Sequence, residues 1–249
     1  GVIAWLPSPS ARTFPALRIR DYRLFFAALL LEVFGMWTRK IAAAWLVLTL
    51  PGGNAAWLGV FVAAAGIPMF FLLPVGGAWA DRFDRRRLLM VAFAAHIALS
   101  LVMAALALTG RLAPWHLVGM AAAAGVINSF RMPANQSMLF AVVGVRQLPN
   151  AVACNHVLVN VARIAGPAVA VGTLMLGPEL PFCVHAVLCS LAVMILAMIR
   201  APTRPSHDGR SVLGGLFVSA RYLWSRGDPV VILLLVLISG VLAQPMFSD

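Results

Sequence analysis

Charge is scarce in this chain. Only 11% of its 249 residues are Asp, Glu, Lys or Arg, against 62% hydrophobic, and eight are acidic. Cysteine is scarcer still. Cys154, Cys183 and Cys189 all sit inside apolar runs and read as free, small, buried side chains. Their spacing supports neither a zinc site nor a disulfide framework. No Gly-x-x-x-x-Gly-Lys-(Ser/Thr) sequence occurs, so the chain has no nucleotide-hydrolysing motor of its own. Gly-x-Ser-x-Gly and His-Glu-x-x-His are missing too, and no nucleophile–base or metal pair stands out. The expectation is a protein that is not an enzyme and that needs neither cofactor nor metal. The first twenty residues are unlike a cleaved signal peptide, because Pro7, Pro9 and Pro15 interrupt them and Arg12, Arg18, Arg20 and Arg23 follow the apolar patch.

What is present is a series of long apolar runs. Residues 24–50, 56–80, 88–108, 115–130 (continuing to 140 beyond a kink at Pro133), 150–176, 182–199 and 230–247 can each cross a bilayer as a helix. The first would be about 40 Å long at 1.5 Å per residue, enough to cross with tilt. Pro68 and Pro74 lie within the second run, where neighbouring helices can satisfy the freed carbonyls. Breaker sequences separate the runs at 51–54, 109–114, 144–149 and 177–181. The sequence therefore predicts an all-α membrane protein with the lipid bilayer as its first partner.

The net charge of +11 would suggest nucleic acid in a soluble protein. Here the charges fall in the gaps between apolar runs, so membrane orientation explains them and no nucleic-acid partner is expected. Fifteen of the nineteen basic residues lie in the N-terminal tail, the 2–3 loop, the 4–5 region and the stretch after helix 6. Arg111 alone lies on the other side, and Arg39, Lys40 and Arg163 lie within spans. Arginine-rich short loops stay in the cytoplasm, which predicts a cytoplasmic N-terminus in a multi-pass protein of the cell membrane. The domains expected are a tail over 1–23, a six-helix bundle over 24–199, a linker over 200–228 and a seventh helix over 229–249. In the linker Leu213, Leu216, Phe217, Ala220, Leu223 and Trp224 recur at helical steps, as in an amphipathic surface helix.

A few polar residues interrupt the spans. Basic residues near a bilayer centre cost about 2.5–3.5 kcal/mol on insertion scales, so they should face the bundle interior or a water-filled cavity. Glu32 and Arg39 share one face of helix 1, about 10 Å apart, too far for a direct pair. Glu32 has two open roles, as a proton carrier or as counter-charge to an arginine on another helix. Asn128, Arg131 and Asn135 share a face of helix 4, where Arg131 either lines the cavity or snorkels. His156, Asn160, Arg163 and Pro167 share a face of helix 5. Arg163 needs a partner at its depth, and Glu32 is the first-choice acid. Gly166 allows close helix approach and Pro167 a bend, as ordinary small-residue packing would also require. His185 and Cys189 have the spacing of two soft-metal ligands without a third. His96 and His116 stand alone.

Between helices 2 and 3 lies Gly77-Ala-Trp-Ala-Asp81-Arg82-Phe83-Asp84-Arg85-Arg86-Arg87. This resembles the signature loop of the major facilitator superfamily of transporters, with Asp84 where glycine is usual. Pro133-Ala-Asn-Gln136 is similar to the Pro-Ala-Arg-Gln segment of enterobactin-exporter-like and macrolide-efflux-like members (transmembrane secretion effectors), with Asn135 in place of their arginine. Asn160-Val-Ala-Arg163-Ile-Ala-Gly166-Pro167 resembles helix 5 of the same group, and Gly166-Pro167 resembles the core of the antiporter motif of major facilitator exporters, with Ala170 where glycine is usual. Members often carry an acid after the helix 1 glycine, whereas here Met36 follows Gly35. The resemblance implies the six-helix N-terminal bundle of a twelve-helix fold plus helix 7, as a fragment. It also implies secondary active export of small molecules, drug or siderophore in type, by alternating access with protons as coupling ion. In that family the 2–3 loop latches one state. Asp81 would face a helix N-terminus in the second half, while Arg82, Arg85 and Arg86 would pair with acids or helix C-termini. A chain without its C-terminal half would not transport alone. The alternatives are a non-transporting membrane interaction module or an inactive truncated half-transporter.

Overall fold

The computed structural model describes residues 15–50 and 52–200. The linker helix and the seventh helix expected over 200–228 and 229–249 lie outside the described residues, as does most of the N-terminal tail. After a single 3-10 turn, Pro15–Arg18, five helices follow: α1 (Arg20–Thr49), α2 (Ala55–Ala80), α3 (Arg85–Leu108), α4 (Pro114–Leu174) and α5 (Leu180–Ala197). No strand occurs among the described residues. All but α1 are long and apolar enough to cross a membrane. The exception follows from its own sequence, since α1 carries Arg20, Asp21, Arg23, Glu32, Arg39 and Lys40.

Local chemistry sets several boundaries away from where the apolar runs put them. Asp84 caps α3, accepting from the backbone N–H groups of Arg86 at 3.0 Å and Arg87 at 3.1 Å. An N-cap carboxylate satisfies donors that the first helical turn leaves free. The three arginines expected in the loop therefore form the first turn of α3, and the loop shrinks to four residues. Helix 1 likewise begins at Arg20, a turn before its apolar run. The return expected over 144–149 is not a loop: α4 continues through Pro133 and breaks only at Gly144, with φ 65° and ψ 172°. Glycine alone enters that region without steric cost, so one residue suffices to turn the chain.

The two arms of α4 flank α1 in opposite directions. In the first arm, 114–143, Arg131 meets Glu32 at 2.9 Å, while Leu117 and Met120 cluster with Leu46 and Val47 and Met138 clusters with Phe25. Rising numbers on one helix meet falling numbers on the other. In the second arm, 145–174, Tyr22 donates to the Ala151 carbonyl at 3.1 Å, Leu29 and Val33 cluster with Leu158 and Ala162, and Gly166 abuts Trp37. Here both numbers rise together. The first arm of α4 also closes on α2 through glycine: a Cβ at Gly76 of α2 would overlap the backbone of Ser129, and one at Gly125 would overlap the carbonyl of Ala65.

The buried interior is layered. One apolar cluster, near the α2–α3 loop, gathers Tyr22, Phe25, Leu89, Phe93, Met138 and Leu196. A second, at the opposite end, gathers Leu46, Phe61, Met103, Leu117, Met120 and Phe182. Between them, on four elements at once, lie the buried polar side chains Glu32, Thr38, Arg39, His96, Ser100, Ser129, Arg131 and His185.

Candidate functional site

This polar layer is the candidate site. α1 supplies Glu32 and Arg39 one above the other, because seven residues nearly complete two helical turns. The first arm of α4 supplies Asn128 and Arg131. Arg131 donates from Nη1 to Glu32 Oε2 at 2.9 Å and from Nε to Asn128 Oδ1 at 2.8 Å. Glu32 is fully buried and Arg131 is 8% exposed, so the pair is dry. Its second carboxylate oxygen, Glu32 Oε1, has no hydrogen-bond partner. A buried ion pair of this kind returns its desolvation cost only while both partners are present.

The remainder of the layer comes from α3 and α5. His185 shares a 2.6 Å hydrogen bond with Ser100 through Nδ1 and a 3.3 Å contact with Cys189 through Nε2. Its ring packs edge-on to His96, with centroids 5.8 Å apart. Both nitrogens of His185 are thus engaged by neighbours on α3 and α5. Gly35 gives α1 its close approach here, since a Cβ there would come within 3.0 Å of the His185 ring.

The structure brings Glu32, Arg39, Asn128 and Arg131 into one layer and leaves other sequence-stretch candidates outside it. Asn135 is half-buried and bonds to none of these groups. Arg163 does not reach Glu32, contrary to expectation. It is exposed and donates to Asn160 one turn earlier on its own helix. The register explains this. The buried stripe of the second arm is Leu158, Ala162, Gly166 and Ala170, and Arg163 lies one residue, about 100°, off that stripe. Gly166 belongs to the seam: a Cβ there would approach that of Trp37 to 2.6 Å. Pro167 is half-buried, and the helix continues beyond it to Leu174.

The first turn of α3 ties the bundle at one end. Arg86 donates from Nη1 to the Ile199 carbonyl at 2.7 Å and from Nη2 to the Ala197 carbonyl, at the C-terminus of α5. The cation meets both the orphaned carbonyls and the negative end of the helix dipole. Arg85 reaches the Ser137 carbonyl at 3.4 Å. Asp81 and Arg82 are exposed. Gly77 has open space where a Cβ would stand, so nothing among the described residues demands a glycine there.

Sequence reasoning missed His96, Ser100 and Ser129 as partners in the layer and set aside His185. One signal was available for His96, Ser100 and Ser129: each sits near the middle of an apolar run, as Glu32, Arg39 and Arg131 do, whereas His185 lies close to the start of its run.

Comparison with known proteins agrees with this architecture. The transmembrane secretion effector family matches residues 11–244. The staphyloferrin A transporter of Staphylococcus aureus (strain NCTC 8325 / PS 47) is 26% identical over 149 residues, 59% of this chain and 37% of that protein. A solved structure of the peptide transporter POT in complex with sulfate superposes with a TM-score of 0.59 at 16% identity, over 87% of this chain and 46% of that one. Identity that low speaks to the fold alone. The chain spans less than half the length of either protein.

Proposed function

Because the chain belongs to the transmembrane secretion effector family of the major facilitator superfamily, a family of multi-pass membrane proteins, we propose that it forms the N-terminal half of a secondary active transporter that exports small molecules in exchange for protons. The observation that carries this reading is the Glu32–Arg131 pair, buried between two apolar clusters at the middle of the bundle. In folds built from repeated helical bundles, substrate and coupling ions bind near the bilayer midplane, where the two halves meet. Glu32 has the chemistry of a proton carrier. Ionised, it is held by Arg131; protonated, it releases that arginine to another partner. Asn128 keeps Arg131 in place through Nε, so only the carboxylate end of the contact changes.

Asp81 and Arg82 belong to the conformational cycle rather than to substrate binding. They stand exposed at the end of the bundle, beyond one of the apolar clusters, and the second half supplies their partners. The N-terminus and the α2–α3 loop face the cytoplasm of the cell, in keeping with the arginine bias. The relative from Staphylococcus aureus, a staphyloferrin A transporter by name, supports a small-molecule cargo.

The test is transport by the full-length gene product in proteoliposomes with an imposed pH gradient and a panel of compounds. Gradient-driven efflux that Glu32→Gln abolishes supports the reading; efflux that ignores both the gradient and Glu32 refutes proton exchange. Asp81→Asn should slow turnover at least tenfold while substrate affinity stays within a few-fold, since about 1.4 kcal/mol between two states changes their ratio tenfold. Loss of binding in that variant would move the loop into the substrate site.

A further inference from the structure

The formal charges of the polar layer do not cancel. It contains one acid, Glu32, and two guanidinium groups, Arg39 and Arg131. Glu32 is committed to Arg131 at 2.9 Å. Arg39 is only 4% exposed, and its Nε and Nη1 are buried without a hydrogen-bond partner. Among the described residues its side chain makes no hydrogen bond or ion pair. The one carboxylate close enough to act on Arg39 is Glu32, two turns away on the same helix and already bonded to Arg131; His185 is engaged by Ser100 and Cys189. No other acid of this sequence falls within an apolar run. Asp21 shares α1 but lies about 27 Å from Arg39 along the axis, beside Arg20.

A guanidinium held at this depth with no carboxylate bonded to it is costly, and such cations are found paired or at a substrate path. From this we infer that Arg39 is the binding group for an organic anion, a molecule with a carboxylate on an apolar body. The inference rests on the transport reading and names its substrate class. Three features select that class. The excess is a single positive charge, which one carboxylate cancels and a doubly charged phosphate overshoots. A guanidinium with its donors unengaged offers a fork matched to two carboxylate oxygens. The apolar clusters on either side of the layer disfavour a hydrated inorganic ion and favour an anion carried on an apolar body.

Benzoate and benzamidine test the claim, because they share a shape and differ in the sign of charge. Binding to the purified protein in detergent would be followed by calorimetric titration and by the thermal unfolding midpoint. Benzoate should bind and raise the midpoint, while benzamidine and inorganic phosphate should not. Arg39→Gln should weaken benzoate about ten- to a hundredfold, the range of a hydrogen bond to a charged group. Arg39→Lys should retain part of the affinity, and serves if the glutamine variant does not fold. Arg111→Gln, at an exposed loop position, should change nothing. Benzamidine or phosphate binding as well as benzoate, or benzoate affinity indifferent to Arg39, would overturn the inference. Vesicle transport separates it from the reading on which it rests. Efflux of cationic compounds alone keeps the transporter and overturns the anion site. Arg39-dependent benzoate binding without transport of any compound keeps the anion site and overturns the transporter.

Discussion

Each arm of α4 carries an asparagine three residues before an arginine, Asn128 and Arg131 in the first, Asn160 and Arg163 in the second. In both, the asparagine Oδ1 accepts from the guanidinium. The local structure is the same because a three-residue step places both side chains on one helical face. The surroundings differ completely. Arg131 projects toward α1, is 8% exposed and reaches Glu32; Arg163 is exposed and turned off the seam. The comparison teaches that a helical motif specifies a local bond, while the face buried against a neighbouring helix decides whether that bond becomes part of an interior site.

The comparison breaks most sharply at Glu32. Glu32→Leu leaves Arg131 buried without its carboxylate and should destabilise the bundle by about 3–5 kcal/mol, measured by denaturant unfolding in micelles. A loss no larger than that at an exposed ion pair would mean that the first arm holds its arginine no more tightly than the second. Adding Arg131→Met to Glu32→Leu sharpens the point. The double variant should recover most of the lost stability, since an apolar replacement of a buried pair is often neutral. It should still lack proton-driven efflux, which separates the pair's role in stability from its role in transport.

Next in size is the seam of the second arm. Gly166→Ala places a methyl group against Trp37 and should cost about 1–3 kcal/mol, read in the same unfolding assay. Unchanged stability would show that the second arm does not pack on α1 as closely as the geometry requires. The smallest effect belongs to the exposed arginine. Arg163→Gln leaves no buried carboxylate unpaired and should cost less stability than Glu32→Leu. A loss comparable to that of Glu32→Leu would erase the difference between the arms.

Four of the five helices were legible as apolar runs long enough to cross a bilayer, and α1 as a long run interrupted by charge. Their ends were less so. Asp84 drew Arg85–Arg87 into α3 by capping it, and Gly144 turned the chain in one residue where a loop of several was expected. Part of the site was legible for the same reason as the spans, since Glu32, Arg39 and Arg131 stand out as charges against an apolar background. Their pairing was not. Arg163 and Arg131 are equally conspicuous in the sequence, and only the packing of α1 between the two arms of α4 selects Arg131 for Glu32.

The sequence by itself determined that this is an α-helical membrane protein, which residues carry rare charge at depth, and which loop resembles that of a transporter superfamily. These properties follow from composition, run length and local spacing, which the chain carries residue by residue. The tertiary structure decided which charges meet, that two histidines and two serines join them, and that one guanidinium is left over. Rotation about a helix axis accounts for the division. A step of about 100° per residue separates an inward arginine from an outward one, and only contact with neighbouring helices sets which direction is inward.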